Sequence, residues 1–127
     1  MTEVPRTRLR PGYEISRIIR GGWQLSGDHG SVEAARAVED IVAFHDAGIT
    51  TFDCADIYTG VEELYGRGLR HLAKLRGAEA AGRMKIHTKC VPDRDKLGRL
   101  TRDDLAGTIR RSLHRLGRER LDLVQFH

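Results

Sequence analysis

Four side chains of different chemical types occur where apolar runs of this sequence end. They are a carboxylate, a phenol, an ammonium and an imidazole, from Asp53, Tyr58, Lys89 and His127. A phenol in water keeps its proton up to about pH 10, so it is a poor acid near neutrality. A neighbouring ammonium favours the phenolate, and a carboxylate keeps that ammonium charged and oriented. The set therefore suits proton donation to an oxygen on which negative charge develops, as when hydride reduces a carbonyl group.

The apolar runs that must position these groups recur at nearly even intervals. They are residues 15–25, 49–56, 85–91 and 121–127. Each run suits a buried strand, and the segments between them have helical spacing. The order β-α-β-α-β-α-β predicts parallel strands joined by right-handed crossovers. At this level, either a doubly wound sheet or part of a (β/α)₈ barrel fits.

Helix punctuation supports this order. The first predicted helix begins after a cap at Ser31, ends before Gly48 and has an apolar face formed by Val38, Ile41, Val42 and His45. The second, within residues 61–77, is expected to be weaker because Gly66 and Gly68 interrupt it.

The third predicted helix begins at a cap on Thr101 and ends at Gly117.

Strand parity predicts which side chains share a face, because successive residues of a strand point to opposite sides. Asp53, Lys89 and His127 fall on one face near the carboxyl ends of their strands, where parallel α/β folds place active sites. Tyr58 follows in the loop after Asp53. The other face is expected to pack beneath helices through Phe52, Ile86, Val124 and Phe126. The competing interpretation makes Asp53 and Lys89 a structural ion pair.

Composition argues against several other classes of protein. The chain has 127 residues, of which 39% are hydrophobic and 31% charged, as expected for one globular core. No apolar run approaches the ~20 residues of a membrane span. The first residues lack the apolar core of a secretory signal, so we expect a cytoplasmic protein. The two cysteines and six histidines lack metal-ligand spacing, so no metal site is predicted.

The charge pattern does not favour nucleic acid as a partner. The formal net charge is +4, but the basic residues are scattered among acidic ones along the predicted helices. Such spacing is typical of solvated helix faces rather than of a phosphate-binding patch. We therefore expect a protein that binds neither nucleic acid nor a membrane.

Four segments together resemble the aldo-keto reductase family. GITTFDCADIYTGVEELYG (48–66) resembles the family signature, in which an aspartate ends the second barrel strand and a tyrosine follows five residues later. IIRGGWQL, IHTKC and LDLVQFH resemble the first, third and fourth barrel strands in the same order. The resemblance covers residues 15–127. It implies the N-terminal half of a (β/α)₈ TIM barrel, preceded by an extension of residues 1–14.

The resemblance also implies catalytic roles. Tyr58 falls on the family's general acid, Lys89 on the lysine that activates it, and Asp53 on the carboxylate partner of that lysine. His127 falls on the histidine that orients the substrate carbonyl. The implied reaction is hydride transfer from NADP(H) to a small aldehyde or ketone.

Further residues are implied to bind the cofactor and the substrate. By the resemblance, Gly22, Trp23 and Asp53 border the cofactor, and Trp23, Tyr58 and His127 contact the substrate. The family binds NADP(H) without a Rossmann domain, and the sequence accordingly contains no GxGxxG motif.

Half of a barrel would expose the free edges of its first and last strands. Unpaired edge groups pair readily with other chains, so we expect the 127-residue chain to self-associate through them. An alternative function follows, in which the chain is a truncated relic or interaction module of the same family that catalyses nothing.

Overall fold

The computed structural model describes residues 3–27 and 33–127. In these ranges an antiparallel hairpin precedes a four-stranded parallel sheet. The hairpin strands are β1 (Arg6–Arg10) and β2 (Tyr13–Ser16), and the sheet strands are β3 (Ile19–Arg20), β4 (Thr51–Asp53), β5 (Lys85–Cys90) and β6 (Leu123–Phe126). The helices are α1 (Ala34–Asp46), α2 (Val61–Arg76), α3 (Ala78–Arg83) and α4 (Arg102–Leu116). Short 3-10 turns span Trp23–Leu25 and Arg94–Arg99.

The order of the strands decides between the two predicted architectures. The parallel sheet runs β3-β4-β5-β6, so each strand pairs with the next along the chain. A doubly wound sheet would reverse its strand order at a switch point, whereas a barrel wall runs in one direction. The sheet is therefore part of a βα barrel wall, as the family resemblance implied.

The first predicted strand, residues 15–25, is not one strand. Its beginning belongs to β2, only Ile19–Arg20 joins the sheet, and Trp23–Leu25 forms the 3-10 turn. The sequence analysis also missed the hairpin and α3. Pro11 and Gly12 connect β1 to β2, and Gly12 has a φ of 77°. This Pro-Gly pair is a typical turn signal, from which the hairpin could have been predicted.

The hairpin covers the amino-terminal end of the sheet. The Tyr13 hydroxyl lies 2.9 Å from Nε2 of His87 in β5, and the two rings are stacked. The Ser16 hydroxyl accepts hydrogen bonds from the backbone N–H groups of Thr50 (3.2 Å) and Thr51 (3.1 Å). The hairpin is thus fastened to the strand that ends at Asp53. The division into an extension of residues 1–14 and a barrel segment of residues 15–127 stays a prediction.

Helix α2 is continuous, so the predicted interruption was wrong. Both of its internal glycines are buried where another element approaches. A Cβ at Gly66 would lie 2.8 Å from the Leu116 carbonyl oxygen, and one at Gly68 would lie 2.7 Å from Cδ1 of Ile41. Packing of α2 against α4 and α1 therefore requires these glycines and compensates for their low helix propensity.

The other helix predictions were largely confirmed. The predicted apolar face of α1 is buried, although its predicted cap, Ser31, lies outside the described residues. Thr101 caps α4 in a reciprocal arrangement. Its hydroxyl accepts from the Asp104 N–H (3.1 Å), and its own N–H donates to Oδ2 of Asp104 (2.9 Å). Gly117 ends the helix with a φ of 67°.

The predicted apolar face of the sheet is buried in only two of its strands. Phe52 and Ile86 are 0% and 2% exposed and lie in the core with residues of α1, α2 and α4. The prediction was wrong for β6, where Val124 is 38% exposed and Phe126 is 62% exposed. Helix α4 packs against α2 and β5 instead, so the outer face of β6 remains in solvent.

Acid should destabilise the fold through two buried histidines. Burial lowers the pKa values of His45 and His87 below the ordinary 6.5. Their neutral rings face the Ala80 carbonyl oxygen and the Tyr13 hydroxyl, respectively. As the pH falls, these two histidines bind protons in the unfolded chain before they do so in the folded chain. The free energy of unfolding should therefore be fully retained above about pH 6.5 and decrease below it. The slope is at most about 1.4 kcal/mol per pH unit for each histidine.

Urea unfolding in steps from neutral pH to about pH 5.5 measures this slope. Replacing both histidines with glutamine should flatten it, whereas replacing the exposed His114 should leave it unchanged. A free energy of unfolding that does not vary over this pH range would contradict the assignment.

Candidate active site

Asp53 and Lys89 form an ion pair at the carboxyl end of the sheet. The Lys89 ammonium donates to Oδ1 of Asp53 at 2.5 Å and to the Cys54 carbonyl oxygen at 2.8 Å. The side chains are 15% and 30% exposed for Lys89 and Asp53, respectively. The pair joins β4 to β5 and still reaches solvent, so it is accessible to a ligand.

Tyr58 lies beside this ammonium. Nζ of Lys89 is 5.4 Å from the centroid of the Tyr58 ring. Backbone hydrogen bonds within the loop hold the tyrosine in place. The Tyr58 N–H donates to the Ala55 carbonyl oxygen (3.1 Å), and the Tyr58 carbonyl oxygen accepts from the Val61 N–H (3.1 Å). The structure thus brings together three of the four predicted catalytic residues. Their catalytic roles stay predictions.

His127 lies at the same end of the sheet, one residue beyond β6. Its N–H donates to the carbonyl oxygen of Cys90 at 2.9 Å, which continues the ladder between β5 and β6. Lys89 pairs with Gln125, so strand alternation puts residue 127 on the face that carries Lys89. The His127 side chain is exposed to solvent. Its backbone thus lies at the rim of the sheet, by which we mean the edge at the carboxyl ends of the strands that carries Asp53 and Lys89. Its predicted contact with a substrate stays a prediction.

Gly22 and Trp23 form the part of the rim contributed by the loop after β3. Gly22 is buried against the neighbouring strand, and a Cβ there would lie 2.4 Å from the Asp53 carbonyl oxygen. Trp23 begins the 3-10 turn and is 55% exposed. Its exposed indole offers a flat surface for a planar ring, which is compatible with its predicted contacts.

Two other groups near the site, the Cys54 thiol and the Tyr65 phenol, are buried and keep their protons. Burial raises the pKa of the Cys54 thiol to about 12, so this cysteine is a packing residue rather than a nucleophile. Tyr65 is fully buried, and burial raises the pKa of its phenol as well. Its hydroxyl has no hydrogen-bond partner in the described part of the chain.

Two buried carboxylates were left without a role by the sequence analysis. They belong to Asp56, which lies two residues before Tyr58, and Glu62, in the first turn of α2. Burial raises the pKa of Asp56, while the hydrogen bond from the Val91 N–H and the positive charge of Arg111 act in the opposite direction. The sequence shows acidic residues around Tyr58 and arginines in α4, which could have suggested ion pairs. It does not show which acidic residue contacts which arginine.

Residues 3–27 and 33–127 lack two further features. No group of three or more His, Cys, Asp or Glu side chains there could hold a metal ion. No described helix combines the length and the apolar character needed to cross a membrane.

The chain belongs to the aldo/keto reductase family, whose family model matches residues 17–127. It is 33% identical to 6-dehydroglucose reductase of Agrobacterium fabrum and 32% identical to the oxidoreductase YdhF of Escherichia coli. Each match includes 98% of this chain but only 43% of the relative. The chain therefore spans less than half the length of these two relatives.

Solved structures of aldo-keto reductases share the fold. A thermostable enzyme, Tm1743, crystallised with the inhibitor epalrestat, is 27% identical with a TM-score of 0.74, over 97% of this chain and 42% of its own. An enzyme of Bombyx mori, AKR2E4, crystallised with NADP, has a TM-score of 0.73 at 21% identity, over 98% of this chain and 38% of its own. The partial-barrel prediction is thereby confirmed.

Proposed function

We propose that this chain forms the catalytic half of an NADP(H)-dependent reductase that acts on small aldehydes or ketones. The observation that carries the proposal is the position of the Lys89 ammonium, bound to Asp53 and 5.4 Å from the Tyr58 ring. A structural ion pair would not require a partly exposed phenol beside it. The arrangement suits a proton donor that faces a developing oxyanion.

In this reaction Tyr58 gives its hydroxyl proton to the carbonyl oxygen of the substrate. Lys89 stabilises the phenolate that remains, and Asp53 holds the ammonium in position. His127 orients the carbonyl oxygen from the β6 side of the rim. A bound reduced nicotinamide supplies the hydride to the carbonyl carbon.

Residues of the rim fit one end of such a cofactor. Trp23 offers an exposed indole, and Gly22, the residue before it, lets the backbone of this loop contact Asp53. We propose that Gly22, Trp23 and Asp53 border the nicotinamide, and that Trp23, Tyr58 and His127 border the substrate. The complexes of structural neighbours with NADP or NADPH support this choice of cofactor.

A direct assay tests this function. The full product of the gene should oxidise NADPH only when an aldehyde or ketone is present, and the corresponding alcohols should appear as products. The matched control replaces each carbonyl compound by its alcohol, which should leave NADPH unconsumed. Failure to bind NADPH, or binding without carbonyl-dependent oxidation across a broad panel, would overturn the proposed function.

The edges of the sheet suggest a partner for the isolated chain. In the described ranges β3 and β6 each pair with one neighbour, and Ile19, Val124 and Phe126 are 45%, 38% and 62% exposed. We propose that the 127-residue chain, produced alone, self-associates through these edges.

Light scattering on this chain should show a mass above 14.3 kDa that increases with concentration. Replacing Phe126 with Lys should shift the mass toward the monomer, whereas replacing the exposed Leu75 of α2 with Lys should not. A monomer at every concentration would contradict the prediction.

A further inference from the structure

Two carboxylates that the proposed reaction does not use are buried behind the rim. The side chain of Asp56 is 3% exposed and that of Glu62 is 1% exposed. Carboxylates are rarely buried without charged or hydrogen-bonding partners, because an ionised oxygen loses its water. The partners of these two side chains therefore indicate what they hold in place.

Asp56 connects the loop of Tyr58 to the end of β5 and to α4. Its Oδ1 accepts from the Val91 N–H at 3.0 Å, and its Oδ2 accepts from Nη2 of Arg111 at 3.3 Å. The backbone of Asp56 is held as well. Its N–H donates to the Lys89 carbonyl oxygen (3.0 Å), and its carbonyl oxygen accepts from Nη1 of Arg115 (2.9 Å).

Glu62 makes the corresponding connection on the other side of the loop. Its Oε1 accepts from Nη1 of Arg115 at 3.0 Å, and its Oε2 accepts from the Thr88 hydroxyl at 2.9 Å. Glu63 also approaches Arg115, with 3.3 Å between Oε1 and Nε, but it is 52% exposed. The two neighbouring glutamates thus share one guanidinium and differ in burial and in contact with β5.

These contacts flank both central residues of the proposed site. Asp56 and Glu62 lie before and after Tyr58 in the sequence, and their partners Thr88 and Val91 lie before and after Lys89. The Arg115 guanidinium contacts both sides of the tyrosine loop. The network therefore fixes the two backbone segments whose separation determines how the ammonium faces the phenol.

We propose that Asp56, Glu62 and Arg115 are positioning residues that hold Tyr58 against Lys89. This inference rests on the proposed function but predicts an effect on the geometry of the site as well as on turnover. A misplacement of about 1 Å can reduce turnover about 100-fold. Loosening the network should thus lower kcat while the affinity for NADPH is retained.

The test compares Glu62→Gln with Glu63→Gln in the full product of the gene. Both variants remove one carboxylate from the same arginine. We expect Glu62→Gln to lower kcat about 10-fold to 100-fold with little change in the dissociation constant for NADPH. The pH at which kcat falls on the alkaline side should also move. Glu63→Gln should match the original protein in all three quantities, measured on samples with the same folded fraction.

A second measurement does not depend on turnover. NMR of isotope-labelled tyrosine, with the Tyr58 signal assigned from Tyr58→Phe, reports the surroundings of that ring directly. Glu62→Gln should displace this signal and Glu63→Gln should not. If Glu62→Gln does not fold, Thr88→Val, which removes only the hydroxyl donor to Glu62, should produce the same displacement.

The outcomes separate the two proposals. A protein that reduces no carbonyl compound, but whose Tyr58 NMR signal moves in Glu62→Gln, would overturn the proposed function and support the positioning network. An active protein with the same kcat, pH profile and Tyr58 NMR signal in both glutamine variants would overturn the network and leave the proposed function intact. Equal changes in both variants would also overturn it, because the exposed Glu63 would then matter as much as Glu62.

Discussion

Replacing Tyr58 with Phe is expected to lower kcat for carbonyl reduction by about 10²-fold to 10⁴-fold, the usual contribution of a positioned proton donor. The ring would remain beside the Lys89 ammonium, which lies 5.4 Å from its centroid, so little packing should be lost. Only the transferable proton disappears. The dissociation constant for NADPH should therefore change little, and steady-state kinetics together with a binding titration measure the two quantities separately.

A matched control for Tyr58→Phe is Tyr65→Phe, which also removes one hydroxyl close to the site. The Tyr65 hydroxyl is buried without a hydrogen-bond partner in the described ranges, so its loss should leave kcat unchanged. Because a buried unpaired hydroxyl is costly, the control should fold at least as stably as the original. Retention of kcat in Tyr58→Phe would refute the assignment of Tyr58 as the proton donor.

Replacing Gly22 with Ala is expected to cost about 3 kcal/mol in the free energy of unfolding, near the upper end for overpacking of a core. The backbone of Gly22 has a φ of −107°, which alanine can adopt, so the penalty comes from space alone. The added Cβ would lie 2.4 Å from the Asp53 carbonyl oxygen and 2.7 Å from the Tyr65 hydroxyl. Relief of this clash must move β4 or the loop, and NADPH affinity should fall with stability.

The neighbouring glycine provides the control for this substitution. Among the described residues, the atom nearest to a Cβ at Gly21 would be Oε1 of Gln24, at 3.5 Å, an ordinary van der Waals distance. Gly21→Ala should therefore leave both the urea midpoint and NADPH affinity nearly unchanged. Equal urea midpoints for the two variants would show that β4 yields to the methyl group without cost.

Local sequence signals determined the framework of this protein. Alternation along the strands placed Asp53 and Lys89 on one face and Phe52 and Ile86 on the other, because side chains of a strand alternate whatever packs on them. The cap at Thr101 could also be predicted from the sequence, because its partner Asp104 is only three residues away. The Pro11-Gly12 turn between β1 and β2 is a local sequence signal of the same type.

Features that depend on contact between distant segments were decided only by the tertiary structure. Val124 and Phe126 have the parity of core residues, yet they are exposed because α4 packs against α2 and β5. From the sequence, Gly66 is predicted to interrupt its helix. In the structure the end of α4 packs so close to Gly66 that a side chain would not fit. Arg115 lies 53 residues from Glu62 in the sequence, and folding alone makes them partners. Periodicity is a property of neighbouring residues, whereas burial and ion pairing depend on which elements meet.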